Sequence, residues 1–201
     1  MNKNNRKEHL YLAAFKLFLT KQYDAVSISD IEKESGMTRG AITYYGGDKR
    51  GLFYDVVKHF IIDKQNLENK MQCMQFESLA RFIEDYIAGC KATMDGLDYI
   101  DKSVQNASSA YMGLILQICR FFPDLHDKYI ENRNNELAIW IKIIQHSIDA
   151  GEIREDISVI STAKNFVNLF YGQSYLDALS MGLNTVELKI QMMNLYKLLK
   201  K

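Results

Sequence analysis

Thr38, Arg39 and Gly40 offer the most specific chemistry in this chain. They follow Gly36, where one short helical segment stops and another starts. A guanidinium in the first turn of a helix can donate two parallel hydrogen bonds to the edge of a guanine. A threonine hydroxyl there can cap the helix or donate to a phosphate. A glycine lets the backbone approach a ligand closely. Ser27 opens the preceding segment and has the same two uses as Thr38. Further along, Phe82, Tyr86, Tyr111 and Trp140, with Gln117 among them, form an aromatic set with a few polar tips. That is the composition of a small-ligand site, and an apolar or amphipathic aromatic ligand suits it. Core filling explains any one of these residues as well as ligand contact does.

Other chemistries lack their residues. The chain has no G-x-S-x-G, P-loop, dinucleotide fingerprint or H-E-x-x-H, so no catalytic residue and no cofactor is expected. His9, His59, His126 and His146 are isolated. His59 has Asp55 and Asp63 one turn away, but no second histidine or cysteine joins them, so no metal site is expected and His59 reads as a solvated position. Cys73, Cys90 and Cys119 include no C-x-x-C pair and read as reduced thiols of a cytoplasmic protein. No apolar run reaches the roughly 18 residues of a membrane helix, and Met1 to His9 is not a secretory signal.

The elements that must position these side chains are helices. Among 201 residues there is one proline, Pro123, and there are 11 glycines, too few breakers for a sandwich or barrel. Leu10, Ala13, Ala14, Leu17 and Phe18 recur at i, i+3, i+4, i+7, i+8, the stripe of an amphipathic helix over about 5–20. Ser27 with Asp30 predicts a capping box, and the helix it opens ends at Gly36. Thr38 caps a short helix over about 39–45, which Gly46-Gly47 breaks. Asp48 caps a long one with the stripe Leu52, Phe53, Val56, Phe60 and Leu67. A connection is expected over 71–76, a helix over about 77–94, a turn over 96–101 and a helix over about 103–121 ended by Pro123. Asp124 and Asp127 are placed to cap the next helix, whose apolar positions include Leu137, Trp140, Ile141, Ile144 and Ile148, and Gly151 stops it. Helices over about 157–180 and from Asn184 to about Lys200 complete an all-α chain of about nine helices. Charge is uneven: residues 1–60 hold 10 Lys/Arg against 7 Asp/Glu, and the remainder balances this to zero, a weak pointer to nucleic acid at the N-terminal end.

Three short helices with a glycine between the second and third make a helix-turn-helix, in which the third lies in the DNA major groove. Residues 6–57 resemble the N-terminal domain of TetR-type transcriptional regulators. The resemblance rests on Ala14-Phe15 and Phe18, Tyr23-Asp24, Ser27-Ile28 and Ile31, Gly36 through Ile42, Tyr44-Tyr45, and Lys49 with Leu52-Phe53. It implies that Tyr44 and Tyr45 touch the DNA backbone and that Lys49 binds phosphate, alongside Ser27, Thr38, Arg39 and Gly40. Three residues depart from the family's pattern. Thr43 stands where tyrosine is usual, Gln22 where glycine is common, and Gly46 where a bulky apolar residue anchors the recognition helix. Loss of that anchor predicts a looser helix.

The resemblance further implies a helix-turn-helix domain over 1–50 and a larger helical ligand-binding and dimerisation domain over 51–201. Its partners would be double-stranded operator DNA, a small-molecule inducer and a second copy of the chain. The local match Ala150 through Asp156, then Ala163 and Gly172, supports this. The last helix carries apolar residues on more than one face, including Ile190 and Met193, and Gly172 tolerates close approach of a partner helix. Gly172, Ile190 and Met193 are therefore the expected interface. The function implied is a homodimeric repressor released by its ligand. The alternative is a dimeric helical sensor or carrier whose DNA-binding head is degenerate, which Thr43 and Gly46 favour.

Overall fold

The computed structural model describes residues 3–64, 77–100 and 106–201. Among them are nine α-helices and no strand: α1 Lys3–Thr20, α2 Ile28–Ser35, α3 Arg39–Gly46, α4 Lys49–Val57, α5 Leu79–Ile100, α6 Ala107–Phe121, α7 Pro123–Asp149, α8 Val159–Ala178 and α9 Thr185–Leu199. A 3₁₀ turn, Tyr23–Ala25, joins α1 to α2. After α4 the chain widens into a π-helical segment, Lys58–Asp63, which buries Phe60, Ile61 and Ile62. The chain divides into two compact units: one holds 1–66, 98–105 and 110–130, the other the remainder.

In the first unit, α1 packs against α2 and α4. The predicted stripe of α1 is buried, and so are Tyr11, Phe15 and Leu19 beside it, so this helix hides most of its circumference. Phe15 stacks on Phe60 at 4.5 Å between centroids, and Phe18 meets Phe53 edge-on at 4.9 Å. His59 is half-buried, 3.3 Å from the Glu8 carboxylate and edge-on to Phe60, rather than solvated between Asp55 and Asp63. Asp55 instead accepts the Tyr11 hydroxyl at 2.6 Å, and Asp63 pairs with Lys58.

The second unit is built on Leu79, Ile83, Trp140, Ile143, Ile144, Phe166, Leu188 and Met192. Gly151 (φ 72°) ends α7 as expected, and the chain then pairs Ile153 with Lys200 in an isolated bridge. Asn106 ties two elements together: its amide donates to the carbonyls of Ala178 and Ser180 at 3.2 and 2.9 Å, while its oxygen caps Ser109 N–H.

Glu152 is a second tie. Its two carboxylate oxygens accept Leu79 N–H at 2.8 Å and Ala80 N–H at 3.3 Å, closing the N-terminus of α5. Burial raises its pKa, but the hydrogen bonds from Leu79, Tyr196 and Ala80 outweigh that and hold the carboxyl below the usual range. A carboxyl depressed in the fold stabilises it above the unfolded value of about 4.3 and ceases to as pH falls through the folded value. Glu152→Gln keeps one acceptor and loses the charge. It is expected to cost about 1–3 kcal/mol in denaturant unfolding at pH 7, with the difference from wild type shrinking below about pH 4.

Four expectations are corrected. The turn over 96–101 is helix through Ile100, because Gly96 is tolerated inside α5. Pro123 does not merely end a helix: it opens α7, where its missing N–H costs nothing. The helix thus starts ahead of Asp124 and Asp127, which lie inside it rather than capping it. Helix α6 starts at Ala107, not 103. The expected connection over 71–76, Leu67 and Cys73 lie outside the described residues.

Candidate functional site

The helix-turn-helix is fixed by caps that the sequence spells out. Asp30 N–H donates to Ser27 Oγ at 3.1 Å, and Ser27 N–H donates back to the Asp30 carboxylate at 2.8 Å. Gly36 takes φ 65° at the end of α2, a left-handed backbone that favours glycine. Thr38 Oγ1 accepts Ala41 N–H and Asp48 accepts Gly51 N–H, so α3 and α4 both start where expected. Two ties were not legible. Arg39 N–H donates to the Glu32 carboxylate at 2.7 Å, and buried Ser35 bonds Ile31 C=O and Met37 N–H. They lock the angle at which α3 leaves α2.

This frame leaves Ser27, Thr38, Arg39, Gly40, Thr43 and Tyr44 exposed on one small domain, while Ile42 is buried beneath them. Tyr45 is half-buried and packs edge-on against Tyr44 at 5.0 Å. The backbone turn at Gly40 has nothing within 4 Å of where a Cβ would stand. Gly46 is tightly surrounded. It is buried, and a Cβ there would lie 2.7 Å from Leu52 Cδ1. Leu52 occupies the space that a bulkier residue would need, so the anchor comes from α4 instead of α3.

Lys49 is more engaged than a surface lysine. Its Nζ donates to Tyr23 C=O at 3.1 Å and Val26 C=O at 3.0 Å, and it lies 4.2 Å above the Tyr23 ring. It fastens the turn before α2 to the start of α4. An ammonium has three N–H donors, and these carbonyls take two.

Of the aromatic set, Phe82, Tyr86 and Trp140 come together in the second unit. Trp140 is fully buried, edge-on to Phe82 at 4.7 Å and to Tyr86 at 5.2 Å, and stacked on Phe166. Tyr111 and Gln117 belong to the first unit. Gln117 Oε1 accepts Tyr23 N–H at 2.6 Å there. The residue that sequence reasoning missed is Glu136, 8% exposed. Its carboxylate accepts the Tyr86 hydroxyl at 2.6 Å and the Tyr171 hydroxyl at 2.8 Å. Burial pushes its pKa up, against those two hydrogen bonds and the Arg133 charge. The same burial, with the Glu136 charge, pushes Tyr86 up. Among the described residues no cluster of three His, Cys, Asp or Glu side chains could hold a metal.

In α8 and α9, Gly172 is exposed with open space at its Cβ position, Ile190 is 49% exposed and Met193 is half-buried against the core. Leu176, Leu179, Val186 and Leu198 add exposed apolar surface. Among the described residues no helix is long and apolar enough to cross a membrane.

Residues 10–56 match the family described as bacterial regulatory proteins, tetR family. No curated protein matches the chain in sequence. Solved structures do match in fold. A TetR-family regulator from Agrobacterium tumefaciens has a TM-score of 0.70 at 12% identity, covering 100% of both chains. One from Cytophaga hutchinsonii has a TM-score of 0.66 at 15% identity, covering 100% of this chain and 98% of its own. A transcriptional regulator from Saccharomonospora viridis, in complex with choline, has a TM-score of 0.68 at 14% identity over 97% of each chain. Residues 10–56 are therefore similar to the tetR family of bacterial regulators, on a polypeptide that shares its fold along its whole length with solved TetR-family regulators.

Proposed function

We propose that the protein is a cytoplasmic, homodimeric transcriptional repressor that leaves its operator when a small ligand binds the second unit. The observation that carries this reading is the capped α2–α3 turn, which presents Thr38, Arg39 and Gly40 at the exposed start of α3, with Thr43 and Tyr44 beyond them. Arg39 reads a base edge, and Ser27, Thr38, Tyr44, Tyr45 and Lys49 hold the phosphates. The exposed apolar surface of α8 and α9 supports pairing with a second copy. Phe82, Tyr86 and Trp140, with Glu136 among them, are the ligand-binding set, and the choline complex of a protein with this fold supports a small organic ligand. Two recognition helices must meet two half-sites at fixed spacing, so a ligand that favours another separation releases the DNA.

The test is a mobility shift with DNA from upstream of the protein's own coding region. Arg39→Ala is expected to weaken binding by about 1–3 kcal/mol and to relax preference at one position per half-site. Lys49→Ala is expected to weaken binding to all sequences alike and to lower the salt slope by about one. It should also cost about 1–3 kcal/mol of stability through the two carbonyls it leaves. Two variants that bind like wild type would remove the recognition helix from the reading.

A further inference from the structure

We propose that Glu32 sets the sequence specificity of the DNA-binding unit: its carboxylate occupies the N-terminal end of the recognition helix α3, keeps duplex phosphates off it, and so holds down binding to non-cognate DNA. This rests on the reading of the protein as a DNA-binding regulator and adds a residue to its recognition surface. The observation is the hydrogen bond that Arg39 N–H donates to Glu32 Oε1 at 2.7 Å, across seven residues and from one helix to the next. The α2 and α4 N-termini also carry carboxylates, Asp30 and Asp48, but each serves the start of its own helix. Helix α3 already has such a cap in Thr38, whose Oγ1 accepts Ala41 N–H. Capping therefore accounts for Asp30 and Asp48 and not for Glu32. A brace between α2 and α3 needs only an acceptor, which a neutral amide supplies as well. What remains to be explained is the charge. Glu34, two residues on, pairs with Lys16 at 2.9 Å, whereas among the described residues no ion pair neutralises Glu32.

The start of an α-helix attracts phosphate, because backbone N–H groups and the helix dipole converge there. On α3 that end is formed by exposed Thr38, Arg39 and Gly40, and Gly40 has open space where a Cβ would stand. Without Glu32, a phosphate of any duplex would seat there whatever its sequence. With it, one N–H is taken and a negative charge stands at the same end. A carboxylate and a phosphodiester are both acceptors only, so no hydrogen bond offsets their repulsion. Glu32 is half-buried and tied at one oxygen, which keeps the charge in place. The penalty falls unequally on the two kinds of DNA. Non-specific binding runs almost wholly on phosphate contacts, and its register is free to slide a phosphate onto α3. In a cognate complex the recognition helix lies in the major groove with its first residues on base edges, and phosphates are met by side chains around it.

The full-length protein and its Glu32→Gln and Glu32→Ala variants are titrated, by fluorescence anisotropy over a range of salt, into two labelled duplexes. One is DNA from upstream of the protein's own coding region, the other a shuffled sequence of the same length and composition. Glu32→Gln keeps an acceptor for Arg39 N–H and loses only the charge. It is expected to bind the shuffled duplex roughly fivefold more tightly, the factor that one like-charge contact is worth in water. The salt slope on that duplex should steepen by about 0.9, the value of one more phosphate contact. Binding to the upstream DNA should change much less, so the preference between the duplexes falls. Glu32→Ala should show the same gain on shuffled DNA, and it decides should the glutamine variant not fold. A residue that only braces α2 against α3 behaves otherwise: the glutamine variant matches wild type, and the alanine variant loses affinity for the upstream DNA with no gain on the shuffled one. That result, or an equal gain on both duplexes, overturns the proposal. Failure of the regulator reading looks different, because it is seen in the wild type: a protein that retains neither duplex, or holds both alike, removes that reading and this one with it.

Discussion

Ile190→Glu is expected to break the proposed dimer into monomers and to weaken binding to the proposed two-half-site operator by more than a hundredfold. Helix α9 buries Leu188, Met192, Tyr196 and Leu199 on one face. It leaves Val186, Ile190 and Leu198 exposed on another, the last at 74%. Leu176 on α8 and Leu179 just past its end are exposed to a similar degree, and Gly172 offers room for a neighbouring backbone. A monomer gains nothing from so much apolar side chain in water, whereas a second copy of the same surface would cover it. A carboxylate placed inside that contact is buried without a partner, at a cost of about 3–5 kcal/mol. A hundredfold loss corresponds to about 2.7 kcal/mol, so the substitution has energy to spare. DNA binding falls with assembly because one head contacts one half-site. Sedimentation equilibrium at micromolar concentration checks the first part and mobility shift the second. A wild-type protein that sediments as a monomer refutes the interface.

The N-terminal domain was readable because its signals are local. Ser27-x-x-Asp30, Gly36, Thr38 and Asp48 each act within three or four residues, and each cap forms as spaced. The surroundings of Gly46 were not legible because they are not local. The side chain that fills its place, Leu52, belongs to the next helix, and its reach depends on how α4 crosses α3. Lys49 was legible as a cation at a helix start, but its carbonyl partners at Tyr23 and Val26 lie more than twenty residues away.

Glu136 escaped for a different reason. The periodic reading of α7 centred its apolar face on Leu137, Trp140, Ile141, Ile144 and Ile148. Past its first turn the buried residues are Glu136, Ile139, Trp140, Ile143, Ile144 and Ser147, the same period turned by part of a turn. A helix with isoleucine at 139, 141, 143, 144 and 148 has apolar residues around much of its circumference, so spacing alone does not fix the centre of its face. Only the tertiary contacts of α5 and α8 do, through Tyr86 and Tyr171. The partner of Gln117 was hidden similarly. The glutamine looked like a polar tip among ligand-facing aromatics, and it serves a backbone N–H of the α1–α2 turn.

Phe122→Ala is expected to destabilise the first unit by about 3–5 kcal/mol, the cost of truncating a fully packed phenylalanine. Phe122 is 2% exposed. Its ring stacks on Phe53 at 4.3 Å, meets Tyr23 edge-on at 5.1 Å and carries the Arg50 guanidinium 4.7 Å from its centre. The residue sits between Phe121 and the Pro123 that opens α7, so the junction of α6 and α7 is wedged into the aromatic core of the first unit. Tyr23 is held there three times over, by Phe122, by Gln117 on its N–H and by Lys49 on its carbonyl and ring. These contacts share a neighbour, so their energies should not add. A double-mutant cycle of Phe122→Ala with Phe53→Ala is expected to show coupling of about 0.5–1.5 kcal/mol, the usual worth of an aromatic pair beyond its buried area. Phe122→Leu, which refills most of the volume, should recover more than half of the loss. Denaturant unfolding of the five proteins settles it. A Phe122→Ala cost under 1 kcal/mol, or strictly additive variants, would mean that α6 and α7 merely lie against this domain; the expected values would mean that the corner between them is part of its core.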